Sequence, residues 1–128
     1  MQLEHAIQCA CVAWFRLCYR RRGYLIASIV NVGARSPRLG AWYKDAGLLP
    51  GIADLVVVLD RGAVVWVELK TAKGRQSPAQ RSFQRAVELL GHTYLLCRGF
   101  DDFRAAVSKI VEYHDKGYRL HTHTKRVD

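Results

Sequence analysis

Apolar residues recur at three- and four-residue steps through Leu3, Ile7, Cys11, Trp14 and Cys18. That stripe predicts a helix over residues 2–21. Arg20, Arg21 and Arg22 crowd its last turn, where cations suit the dipole, and Gly23 ends it. Residues 24–32 are rich in β-branched side chains and predict a strand. The period then breaks from Gly33 to Gly51, a stretch interrupted by Gly40, Gly47, Pro37 and Pro50 and expected to be irregular. Loops of that length in a compact domain are usually functional. Two apolar runs, 55–59 and 63–69, are joined by Asp60-Arg61-Gly62 and predict an antiparallel hairpin. Ser77-Pro78-Ala79-Gln80 opens a helix with a serine cap, a first-turn proline and a capping-box glutamine. Phe83, Val87 and Leu90 give that helix a core face, and Gly91 stops it. A strand at 92–97 and a helix at 101–113 complete an α/β fold of order α-β-β-β-α-β-α. Residues 1–113 read as one domain and 114–128 as a polar, mobile tail.

The length of 128 residues fits a single domain, and a hydrophobic share of 50% excludes a disordered chain. The longest apolar run, residues 9–15, is far short of the roughly 18 residues that a membrane span needs. Glu4 and His5 stand where an export signal would be basic and then apolar, so the expected location is the cytoplasm. A net charge of +9 points to a polyanionic partner. No Lys-rich, Trp-anchored amphipathic helix suggests a membrane surface, which favours nucleic acid. In the irregular segment, Arg35, Arg38 and Lys44 beside Trp42 and Tyr43 suit contact with backbone and bases. Cys9, Cys11, Cys18 and Cys97 lack zinc-binding spacing and read as small buried apolar residues, without disulfides.

Asp54, Glu68 and Lys70 stand out because they sit at strand ends rather than on solvated helices. Asp54 immediately precedes one hairpin strand, and Glu68 and Lys70 end the other, two apart and so on one face of the sheet. Leu69 between them points into the core. Two carboxylates brought together at the end of apolar strands repel, and a divalent metal would relieve this. Oxygen ligation with few protein ligands suits Mg²⁺ or Mn²⁺. A lysine beside them can orient a water and offset phosphate charge, a set suited to phosphodiester hydrolysis. On the residues alone, a surface Glu–Lys pair and a turn-capping aspartate remain the alternative.

Gly51-Ile52-Ala53-Asp54 followed by Glu68-Leu69-Lys70 resembles the G-x-x-D and E-x-K signatures of the PD-(D/E)XK nuclease superfamily. More narrowly, Gly47 to Leu55, then Val67 to Thr71, Gly74, Ser77 and Gln80, resemble the virus-type replication-repair nuclease (VRR-NUC) domain. The likeness runs from Glu4 to about Tyr113. Ala53 stands where the family usually has proline. The resemblance implies a restriction-endonuclease-like mixed sheet flanked by helices. It also implies a metal held by Asp54, Glu68 and the Leu69 carbonyl, with Lys70 assisting the attacking water. Glu4 matches an acidic residue placed near the metal through water, and Gln80 a glutamine kept beside the site.

The expected activity is metal-dependent, structure-selective cleavage of DNA at branches, flaps or four-way junctions. The alternative is a non-catalytic nucleic-acid-binding module that kept the fold. Lys44, Lys73 and Arg81 flank the motifs and are the expected phosphate contacts. A homodimer is expected too, through the first helix and Leu48-Leu49, because stand-alone members of the family resemble junction-resolving dimers. His114, His121 and His123 lie at or beyond the last helix and take no part in this scheme.

Overall fold

The computed structural model describes residues 2–30 and 36–120. The elements are α1 (Gln2–Tyr19), β1 (Leu25–Ser28), α2 (Pro37–Asp45), β2 (Leu55–Val58), β3 (Val64–Leu69), α3 (Pro78–Leu89), β4 (Thr93–Cys97) and α4 (Phe100–Asp115). One sheet of order β1-β2-β3-β4 holds all four strands. β1/β2 and β2/β3 pair antiparallel and β3/β4 pair parallel, so the sheet is mixed. The element order is the expected one with a short helix inserted between β1 and β2.

That helix corrects the reading of residues 33–51 as irregular throughout. Ser36 caps α2 by accepting from the Leu39 N–H, and Pro37 occupies its first turn. With nine residues, no buried side chain and Gly40 in its middle, α2 has no core-facing period to reveal it. β1 is also shorter than 24–32. After Ser28 the chain leaves the ladder, with the Ile29 N–H donating to the Asp54 carbonyl at 2.9 Å. Residues 31–35, Arg35 among them, lie outside the described residues.

Strand alternation divides the core in two. Ile26, Leu55, Val57, Leu59, Val65, Val67, Leu69, Leu95 and Cys97 meet Cys11 and Phe15 of α1 and Phe103, Val107, Ile110 and Val111 of α4. On the other face Trp66, Tyr94 and Leu96 meet Phe83 and Val87 of α3, with Ala53. The line of α1 that faces the sheet runs Ile7, Cys11, Phe15, Tyr19 at four-residue steps. The expected stripe is therefore rotated at its ends, and Leu3 and Cys18 are exposed. Cys9 is exposed as well, so only Cys11 and Cys97 are the buried thiols expected; burial pushes them up to about 11 and about 12.

The boundary of the tail moves too. α4 continues to Asp115, His114 is buried, and Leu120 packs against the main core. His114 is held because Asp60 in the hairpin turn accepts from its Nε2 at 2.5 Å. Arg61 in that turn adopts φ 54° and donates to the His114 carbonyl at 2.5 Å, tying the end of α4 to the hairpin. Residues 121–128, with His121 and His123, lie outside the described residues. No described helix is long and apolar enough to cross a membrane.

Candidate functional site

The β2/β3 register opposes Leu55 to Val67. Continuing it by one residue places Asp54 opposite Glu68, on the face covered by α3. Like charges directly opposed across strands are destabilising, so each carboxylate needs a local reason to stay. For Asp54 the reason is backbone satisfaction. Its Oδ2 accepts from the Leu69 N–H at 2.8 Å, which caps the ladder where β2 and β3 end. Its carbonyl meanwhile accepts from Ile29.

Gly51 positions the turn that delivers Asp54. Its φ is +79°, and a Cβ there would stand 2.3 Å from the Ala79 backbone and 2.6 Å from the Gln80 nitrogen. Only glycine allows the turn to sit this close to the start of α3. The contact matters because Gln80 grips the second carboxylate. Gln80 Oε1 accepts from the Ser77 N–H at 2.8 Å, completing the capping box, while Nε2 donates to Glu68 Oε2 at 3.2 Å. The cap and the site are thus two ends of one amide.

Glu68 is only 1% exposed, and its Oε1 is buried without a hydrogen-bond partner among the described residues. Burial and the Asp54 charge raise its carboxyl to about 8; Lys70 opposes this, and Glu4 adds a smaller upward push. Glu4 is exposed near the start of α1, so it reaches Glu68 through its field rather than as a bonded neighbour. Lys70 is half-buried, and its N–H donates to the Cys97 carbonyl at 2.9 Å. In a trans peptide the preceding carbonyl points the opposite way. The Leu69 C=O is therefore directed away from β4, toward the side of Asp54.

These donors fit a hard divalent cation. Two carboxylates and a carbonyl share one strand end, and the buried Oε1 has no hydrogen-bond partner among the described residues, a contact that an ion would supply. Among the described residues no group of three or more His, Cys, Asp or Glu side chains could hold a metal. A site here would therefore use two carboxylates, the carbonyl and waters.

No family model and no curated protein matches the chain. Solved structures do. A "VRR_NUC domain protein" is 20% identical, with a TM-score of 0.67, covering 86% of this chain and 88% of that one. A second, a "VRR_NUC domain", is 21% identical at a TM-score of 0.54, covering 87% and 96%. The fold is that of a VRR_NUC domain. On this VRR_NUC fold the mixed sheet, the hairpin and α3 are the parts that bring Asp54, Glu68, Lys70 and Gln80 together.

Sequence reasoning missed Arg98. Its Nη1 donates to the carbonyls of Thr71, Ala72 and Gly74 at 3.0, 3.4 and 2.6 Å, clamping the turn that follows Lys70. Arginine directly after a core strand was the only signal for it. Gln76 was missed too; its Nε2 donates to Gln84 Oε1 at 2.9 Å and to the Tyr94 hydroxyl at 3.2 Å beneath the start of α3. Lys44, Lys73 and Arg81 are all exposed, with Arg81 also donating to the Gln76 carbonyl at 2.8 Å. Of the basic cluster after α1, Arg22 is paired with Asp115, while Arg20 and Arg21 are exposed.

Proposed function

We propose that this chain is a metal-dependent nuclease that hydrolyses DNA phosphodiesters, selective for branched or flapped DNA, four-way junctions included, in DNA repair. The observation that carries this reading is the meeting of Asp54 and Glu68 across one hairpin, with a buried, unpartnered carboxylate oxygen beside Lys70. Asp54, Glu68 and the Leu69 carbonyl would hold Mg²⁺ or Mn²⁺. Such an ion, when bound, polarises a phosphoryl oxygen and acidifies a water. Lys70 orients the attacking water and offsets phosphate charge with its ammonium donors. Gln80 holds the Glu68 carboxylate in one rotamer, and Glu4 positions a further water. Lys44, Lys73 and Arg81 contact phosphates, which supplies affinity without sequence information.

The working unit in this reading is a homodimer. The outer side of α1 carries Leu3, Ala6, Ala10, Ala13 and Leu17 at alternating three- and four-residue steps, all exposed, with Leu17 at 80%. Read antiparallel about Ala10, the stripe is self-complementary: Leu3 meets the second copy's Leu17, and the alanines permit close approach. Leu49 is exposed as well and offers a second apolar contact.

The decisive experiment incubates the protein with labelled duplex, flap, splayed-arm and four-way-junction DNA in Mg²⁺, Mn²⁺ or EDTA. Asp54→Asn, Glu68→Gln and Lys70→Met should each lower cleavage by on the order of a hundredfold or more while the fold survives by circular dichroism. Cleavage that survives EDTA, or persists in all three variants, removes the reading. Binding of branched DNA with no cleavage under any condition would leave the non-catalytic module. Charge reversal at Lys44, Lys73 or Arg81 should reduce the slope of log K against log salt by roughly one.

A further inference from the structure

Of the three tryptophans, two have structural work. Trp14 packs edge-on to Tyr19, Phe100 and Phe103, and Trp66 packs edge-on to Phe83. Trp42 has none: it is 63% exposed on α2, a helix that packs against no other helix or strand among the described residues. Leu39, one turn earlier, is 37% exposed, so α2 presents an apolar pair to solvent rather than a lone ring. The indole is nevertheless oriented, because the Tyr43 ring stands at 77° to it with centroids 5.0 Å apart.

Arg38 and Leu39 precede Trp42 by four and three residues, so the three share one face of α2. With Ser36 they line an open cleft of about 500 Å³. Lys44 lies on the other side of the helix. A run of tight turns connects this cleft to the candidate site. The Leu48 N–H donates to the Tyr43 carbonyl at 2.9 Å, and the Ile52 N–H to the Leu49 carbonyl at 3.2 Å. Gly51 then seats the chain on Ala79, three residues before Asp54.

We propose that the cleft of Ser36, Arg38, Leu39 and Trp42 binds an unpaired nucleotide of the DNA, its base stacked on Trp42 and its phosphate paired with Arg38. The inference deepens the nuclease reading and rests on it. An indole one helical turn from a guanidinium offers a π-face and a cation on one side of α2, and the net charge of +9 favours a polyanion over an apolar peptide. Inside a duplex both faces of each base are covered by neighbours, so the cleft selects strands with unpaired bases. A flap or an opened branch point supplies them beside a scissile phosphate.

The test measures anisotropy of a labelled oligothymidine, a blunt hairpin duplex and a flap in EDTA, beside cleavage of the same molecules in Mg²⁺. Trp42→Ala should weaken oligothymidine and flap binding about 5- to 150-fold and leave the blunt duplex within about twofold. Trp42→Phe should recover part of the loss. Arg38→Ala should lower the single-strand salt slope by about 0.7. In the unmodified protein, oligothymidine should quench tryptophan fluorescence more than the blunt duplex does. Equal losses on all three DNAs, or none, would overturn the proposal. So would a fall in molecular mass on Trp42→Ala without a single-strand defect, which would make the patch a protein interface. Cleavage that persists with unaltered single-strand binding defeats this inference alone. Selective single-strand binding through Trp42 without any cleavage upholds the cleft and defeats the nuclease reading.

Discussion

The two ends of the β2–β3 hairpin carry carboxylates in opposite electrical situations. At the turn, Asp60 accepts from His114 and lies 3.5 Å from the Arg61 guanidinium, and these partners, His114 first, hold its carboxyl below the ordinary range. At the other end, Glu68 faces Asp54 in a buried setting that raises it to about 8. The compensated charge fastens two elements together, the hairpin turn and the end of α4. At Glu68 the Gln80 amide and the Lys70 charge support the carboxylate and a hydrogen bond with Asp54 supports its protonated form, so the charged form opposes folding unless something positive arrives. A carboxylate kept under those conditions is better explained by binding than by stability.

Breaking the compensated end should have the largest effect on stability. His114→Ala removes a buried ring and its bond to Asp60, and should cost about 2–4 kcal/mol in denaturant unfolding. Cleavage per folded molecule should be unchanged. A selective loss of activity would mean that the two ends are not independent.

The uncompensated end should respond with the opposite sign. Glu68 titrates at about 8 in the folded chain against 4.5 ordinarily, so folding favours its protonated form. That contribution is complete below the ordinary value and is lost as pH rises through the folded one. The metal-free protein should therefore lose stability as pH rises from about 5 to about 9. Glu68→Gln, which keeps the bond to Gln80, should abolish that slope and stabilise the metal-free protein at the alkaline end by about 1–2 kcal/mol. Thermal unfolding in EDTA across that range checks both. A stability curve that Glu68→Gln leaves unaltered would remove the contrast between the ends.

The smallest expected effect sharpens the comparison. Arg98→Ala releases three carbonyls of the turn after Lys70 without touching the core, so the thermal midpoint should barely move. kcat should fall about tenfold, as for other residues that position a site from outside it. Arg98→Lys should recover part of that loss, since one ammonium can meet some of the same carbonyls. A fall in stability matching the fall in rate would make Arg98 a fold residue only.

Much of the site is legible in the sequence. The hairpin, the helix after it and the two-residue spacing of Glu68 and Lys70 follow from short-range periodicity, and so does the Ser77–Gln80 cap. α2 was not legible, because a short helix without a buried face leaves no hydrophobic period. The true inner line of α1 was blurred for the reverse reason: apolar residues lie on two sides of it, and Leu3 and Cys18 belong to the side away from the sheet.

By itself the sequence determined the centres of the strands, the turn residues and the caps, since these depend on neighbours a few residues apart, and it singled out Asp54 and Glu68 as candidates. Tertiary structure alone decided that Glu68 would be buried with an oxygen unpartnered, and that the Asp54 carboxylate would cap the end of β3. It also decided that Arg98 would clamp the turn after Lys70 and that His114 would belong to the core. The reason is the parallel β3–β4 pairing with α3 laid across it. It joins residues distant in the chain into one low-dielectric layer, where burial and charge act on Glu68 together.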